Sequence, residues 1–231
     1  MNRARSTAAL AIAGALSAWG SAALAGAPMV TEDADVLNPR ECEWESTANR
    51  TTAGGFSLRT LSTKVGCGLV PGTQLALGVA RSSADGASAT GLGLSGKTAV
   101  VPRTAGGFGL SVAYGFAWAK EPGDSLRYSA TTLSAVVTQS WGAVTVHGNL
   151  GLARFRGDGD TINTWALGAE YALSDSVSAL AETYGSEGSK PLMGVGLRWQ
   201  ASTDWTLGLM ASQSRDTPKA RDVLLSAKMA F

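Results

Sequence analysis

The stretch Phe108-Gly109-Leu110-Ser111-Val112-Ala113-Tyr114-Gly115-Phe116-Ala117-Trp118 decides the fold. Phe108, Leu110, Val112, Tyr114, Phe116 and Trp118 are large and apolar, and every residue between them is Gly, Ser or Ala. A period of two puts alternate side chains on opposite faces of an extended chain, so this is a strand with one apolar face and one face of small residues. A water-facing sheet surface would carry Lys, Glu and Thr at high density. A small-residue face suits a lumen instead, with the apolar face turned to lipid.

The same alternation recurs over 165–173, 193–200 and 223–231. The stretch 128–139 alternates poorly, which leaves its face open. Short breakers occur at Pro71-Gly72, Trp141-Gly142, Ser174-Asp175-Ser176 and Ser202-Thr203-Asp204, and longer polar ones at 120–125, 156–160, 186–190 and 214–221. Alternation of short and long connections is the asymmetry of a transmembrane barrel. The spacing predicts an all-β fold: a closed antiparallel up-and-down transmembrane β-barrel of about twelve strands, each about ten residues long.

The start of the chain sets the compartment. Arg3 and Arg5 precede an uncharged run that ends in Ala23-Leu24-Ala25, the pattern of a cleaved secretory signal peptide over residues 1–25. The run is Ala-rich and weakly apolar for a membrane anchor. Residues 40–231 form the barrel domain. Residues 26–39, with Glu32, Asp33 and Asp35, form an acidic N-terminal segment that either hangs in the periplasm or tucks into the barrel as a partial plug. Charged residues make up 16% and Gly 29 of 231, against about 25% and about 7% in soluble domains. A net charge of +1 gives no broad electrostatic case for nucleic acid.

Cys42 and Cys67 are an even count in an oxidising compartment. A two-residue turn at Gly54-Gly55 sets Cys42 opposite Cys67 and Glu45 opposite Lys64, which favours a cross-strand disulfide. It also sets Arg50 opposite Arg59, which counts against that register.

Aromatics gather near the strand ends. Trp44, Trp141, Trp199, Trp205 and Phe231 fall toward the short-turn side, with Tyr171 close by. Trp118, Trp165 and Phe155 fall toward the long-loop side. Two such belts are expected at the membrane interfaces.

The chain ends on Phe231 after alternating apolar residues, which resembles the C-terminal signal by which outer-membrane barrels meet the barrel assembly machinery. Pro28-Met29-Val30-Thr31-Glu32-Asp33-Ala34, followed by Glu41-Cys42-Glu43-Trp44-Glu45, resembles the mature N-terminus of a transporter family linked to the meta-cleavage pathway of phenol degradation. The resemblance implies a twelve-stranded outer-membrane barrel and passage of small organic compounds. It carries no binding residue over, and Cys42 departs from the polar residue expected at the start of the first strand.

Parity places Glu41, Glu43, Glu45, Lys64, Lys97 and His147 in the lumen, with Asn149, Glu170, Glu182, Arg198, Gln200 and Lys228. Such charges either pair across a narrow barrel, because an unpaired buried charge is costly, or line a polar path that sets charge selectivity. No enzyme is expected. Barrel hydrolases place Ser two residues beyond His on one face, whereas His147 is followed by Asn149. Asp158 and Asp160 read as solvated loop charges. No metal or other cofactor is called for.

The expected function is a channel or transporter for small solutes in the outer membrane, in contact with its lipids. The Gly- and Ala-rich inner face favours an open lumen. The alternatives are a closed structural or interaction barrel, and a soluble periplasmic β-sandwich.

Overall fold

The computed structural model describes residues 27–104, 107–156 and 159–231. The signal peptide read at 1–25 and Asp158 lie outside the described residues. The alternating runs become twelve antiparallel strands: β1 (Cys42–Ala53), β2 (Phe56–Val70), β3 (Thr73–Ala84), β4 (Ala87–Val101), β5 (Phe108–Lys120), β6 (Arg127–Trp141), β7 (Val144–Phe155), β8 (Thr161–Ala172), β9 (Val177–Ser186), β10 (Leu192–Gln200), β11 (Trp205–Ser214) and β12 (Arg221–Ala230). Each pairs with its neighbours in sequence, and β12 returns to pair with β1, so the sheet closes. Closure leaves no strand edge unpaired, the requirement for spanning hydrocarbon with strands.

Exposure settles which face points out. Leu61, Val195 and Leu150 are 64%, 66% and 71% exposed, whereas Ala130, Ser111 and Ala153 on the opposite parity are at most 1% exposed. The apolar side chains therefore face outward, the inverse of a soluble sandwich, and the soluble alternative falls. The buried apolar clusters are small and lie inside the barrel: Leu58 with Ala84 and Ala89, Met29 with Leu180 and Met210, and Ala34 with Ala113 and Val136.

The first hairpin has the expected register. Cys42 stands opposite Cys67 and is bonded to it, Glu45 opposite Lys64, and Arg50 opposite Arg59. The Gly54-Gly55 turn carries φ values of 55° and 87°, and the Asp85-Gly86 turn 47° and 80°. Two successive positive φ values are what a tight hairpin matched to strand twist demands.

β1 begins and β12 ends at the same end of the barrel, here the terminal end; the opposite end is the loop end. The expected contrast of connection lengths holds only in part. At the loop end, 54–55 and 85–86 are two-residue turns, and at the terminal end 102–107 is a six-residue connection. The aromatics near the strand ends lie on the outer face. Trp44 meets Trp205 edge to face at 6.0 Å, and Phe231, Trp141 and Trp199 are exposed at the same end. Toward the loop end, Trp118 meets Tyr128 at 6.4 Å, and Trp165 is part-exposed on β8. Phe155, read with that belt, shares the inward parity of Ala153.

Candidate functional site: a lumen filled by its own N-terminal segment

Residues 27–39 run inside the barrel. They enter beside β2 and follow the inner wall past β3 and on to β11. The described part of this segment lies against the inner wall.

Wall side chains from β3 to β9 hold its backbone. At the mouth, Pro39 bridges Gly68 of β2 in parallel, and a Cβ on Gly68 would sit 2.1 Å from the Asn38 carbonyl oxygen. Only glycine permits that approach. The Leu37 amide donates to Gln74 Oε1 of β3 at 2.6 Å. Lys97 Nζ of β4 donates to the Asp33 carbonyl at 2.9 Å and to its carboxylate at 3.0 Å. Ser111 of β5 donates to the Ala34 carbonyl at 2.6 Å, while the Ala34 amide donates to Thr138 Oγ1 of β6 at 2.8 Å. Asn149 of β7 binds both sides of Glu32, accepting from its amide at 2.7 Å and donating to its carbonyl at 3.0 Å.

The innermost anchor is Glu182 of β9. Its carboxylate accepts from the Val30 and Thr31 amides at 2.9 Å and from the Thr31 hydroxyl at 2.8 Å. Beyond it Met29 packs on Leu180 and Met210, and Pro28 fills the space over Gly208 of β11, where a Cβ would lie 2.5 Å from the proline ring. Charge-assisted bonds of this kind contribute about 1.5–3 kcal/mol each. They also satisfy a segment that forms no helix and joins the sheet only at Pro39, as buried backbone requires.

A second layer orients the first. The Thr138 hydroxyl, accepting from Ala34, lies 2.9 Å from His147 Nδ1, and His147 Nε2 lies 3.3 Å from Glu170. Glu170 also binds Arg198 at 2.5 Å. Glu45 pairs with Lys64 at 3.1 Å, and Glu43 with Lys228 at 3.5 Å. In the plug, burial alone would raise the Asp33 carboxyl, but the Lys97 ammonium, with Lys228 and His147 farther off, holds it well below the ordinary carboxylate range.

Every residue from Glu43 to Lys228 expected in the lumen faces inward. Lys97, Asn149 and Glu182 grip the plug, His147 supports it, and the remainder form pairs on the wall. Glu41 differs. It is exposed at the mouth, where the Asn38 side-chain amide and then its backbone N–H donate to it, and these bonds hold its carboxyl below the usual value. Gln200, also expected inside, accepts from the Thr206 hydroxyl at 2.9 Å.

Sequence reading missed Gln74 and Ser111, which parity would have placed inward, and Thr138, which stands in the stretch 128–139 whose face was left open. It also missed Arg103, which binds Asp35 and Ser140 from the 102–107 connection. The inner Gly and Ala residues were read as open space. Gly68, Gly168 and Gly208 instead make room for the plug.

Residues 12–231 match the family described as uncharacterised conserved protein UCP029691. Among curated proteins, none matches the chain. Among solved structures the chain is similar to the COG4313 outer membrane channel from Pseudomonas putida F1, with 11% identity and TM-score 0.65 over 86% of this chain and 98% of that one. It is similar to the KdgM porin in complex with disordered oligogalacturonate, with 9% identity and TM-score 0.60 over 82% and 99%. It is also similar to the outer membrane phospholipase A from Escherichia coli, with 10% identity and TM-score 0.51 over 92% and 96%. Two are channels and one is an enzyme. At these identities the shared property is the outer-membrane barrel fold.

Proposed function

We propose that this chain, which belongs to the family of uncharacterised conserved proteins UCP029691, is an outer-membrane channel for small solutes, narrowed by its own N-terminal segment. In this reading the terminal end faces the periplasm, the loop end faces outward, and the belts of Trp44, Trp141, Trp199, Trp205 and Phe231 and of Trp118 and Trp165 sit at the two interfaces. The C-terminal strand ending in Phe231 is the element offered to the barrel assembly machinery.

One observation carries the reading. The plug bonds to the wall from β2 through β9, while the wall of β12, β1 and β2 carries two ion pairs, Glu45–Lys64, nearly buried, and Glu43–Lys228, part-exposed. Side chains in the Lys228–Glu43 pair are 34% and 16% exposed, so water reaches this side of the lumen. A solute would pass there, between plug and wall. The residues that carry the resemblance to the phenol meta-cleavage transporters, Pro28 to Ala34, are the plug itself. That resemblance is the support for small aromatic compounds as the solute class.

The test is single-channel conductance and liposome swelling with the full chain and a variant lacking residues 28–38. The expected result is a small conductance that rises several-fold on plug removal, and faster entry of phenol than of a disaccharide. If neither protein conducts, the closed structural barrel is the correct reading.

A further inference from the structure

Arg50 stands opposite Arg59, and among the described residues no acidic side chain pairs with either. Like charges directly opposed on one sheet face repel. Both side chains are on the outward parity, close to the loop end, and both are exposed. Arg221 of β12 stands opposite Thr52, and Arg81 of β3 stands opposite Leu61. Four arginines therefore occupy the outward face of four strands adjacent around the barrel: β12, β1, β2 and β3. Lys219 joins them from the connection leading into β12. Among the described residues, none of the five forms an ion pair. Asp85 stands in the neighbouring turn and pairs with none of them.

The patch has a shape. A recess of about 450 Å³ opens there, lined by Arg50, Lys219 and Arg221 with Thr52, Ser57 and the Gly54-Gly55 turn. Arg50 Nε donates to Ser57 at 3.3 Å. Directly toward the barrel's middle the same face turns apolar, with Leu61, Val79, Val223 and Leu225 each between 47% and 64% exposed. Arg81 stands at the level of Leu61, where its aliphatic stem can lie along the apolar band and its head reach up to the other arginines.

We propose that this face binds the phosphate headgroup of an anionic lipid of the outer leaflet, with the recess holding the phosphate and the apolar band below it the acyl chains. Guanidinium groups bind phosphate oxygens through paired, charge-assisted hydrogen bonds, so a dianion in the recess meets Arg50, Arg221 and Lys219 and offsets the charge of Arg59 directly across from Arg50. A free phosphate would use the recess and leave the apolar band idle. A phosphorylated lipid uses both, and it is the ligand that the membrane interface supplies in quantity. The inference rests on placement in the outer membrane and is independent of conduction.

The test uses the full chain refolded in neutral detergent micelles and titrated with bisphosphorylated lipid A, its dephosphorylated form and inorganic phosphate. Native mass spectrometry reads binding, and the thermal midpoint reads stabilisation. The wild type is expected to bind the bisphosphorylated lipid at least about tenfold more tightly than the dephosphorylated form and to gain thermal stability from it. Arg50→Gln/Arg59→Gln/Arg221→Gln should lose that preference, while Arg154→Gln, on the outward face of the distant β7, should keep it. Folding of each variant is checked by its heat-dependent mobility on SDS gels. Should the triple variant not fold, Arg59→Lys and Arg59→Gln singly give the same comparison. Equal binding of the two lipids by the wild type, or unchanged preference in the folded triple variant, overturns the proposal. So does inorganic phosphate binding as tightly as the lipid. Conductance of the same samples separates this failure from failure of the channel reading.

Discussion

Glu182 is the residue on which plug engagement turns. It accepts two backbone amides and a hydroxyl, so Glu182→Ala removes three bonds and leaves the Val30 and Thr31 amides to find water. Hydrogen–deuterium exchange over 27–38 is expected to rise by at least about tenfold, with barrel strands unchanged, because the wall keeps its own ladder. Gly168→Val tests the same contact from the steric side. A Cβ there would lie 3.0–3.2 Å from the Thr31 side chain, and the added methyls have no space. Thr31 should be displaced while heat-modifiability persists; a plug as protected as in the wild type would show that the contact is not limiting. At this scale the sequence was legible wherever parity applied, as with Asn149 and Glu182. It was not legible at Arg103, which stands in a connection where no alternation assigns a face.

At the scale of elements, the N-terminal segment is held partly by charge. Its Asp33 carboxyl is held low by Lys97, so the bound plug is favoured above the ordinary carboxylate value, near pH 4. That contribution is lost as pH falls below it and protons compete with the ammonium. Exchange over 27–38, corrected for intrinsic rates, should be constant from about pH 8 to about pH 5 and increase below about pH 4; Asp33→Asn should abolish the step. The first hairpin carries a separate constraint. The Cys42–Cys67 bond spans a sequence separation of 25 residues, for which loop entropy gives a stabilisation of about 3.5 kcal/mol. Cys42→Ser/Cys67→Ser should lower urea stability by about that amount. No loss would mean that the paired strands already confine the unfolded hairpin. Alternation marked β5, β8, β10 and β12, the connections at 85–86 and 102–107 went unread, and the face of β6 was left open. Its weak pattern has a cause, for Val136 and Val137 are adjacent: Val136 faces inward to pack on Ala34, and Val137 faces outward. A lumen that contains a peptide needs an apolar wall residue where the peptide is apolar.

For the whole molecule, the sequence fixes closure and facing but not occupancy. Gly and Ala on the inner face create volume, and composition does not say whether water or chain fills it. That the plug fills it makes the remaining path one-sided, along β12, β1 and β2. Two carboxylates and two ammonium groups line that path, and their charges cancel. The wild type is therefore expected to discriminate weakly between small cations and anions. Lys64→Gln/Lys228→Gln leaves Glu43 and Glu45 unopposed, and Glu43→Gln/Glu45→Gln leaves the two lysines. In a narrow lumen, where the effective dielectric is far below that of water, unopposed charge decides which ion enters. Reversal potentials across a tenfold KCl gradient should move toward cation selectivity in the first variant and toward anion selectivity in the second, by tens of millivolts on the order of one Nernst factor. Opposite shifts place the conducting path on this wall. Identical potentials in all three proteins would place it elsewhere, and would remove the observation on which the channel reading stands.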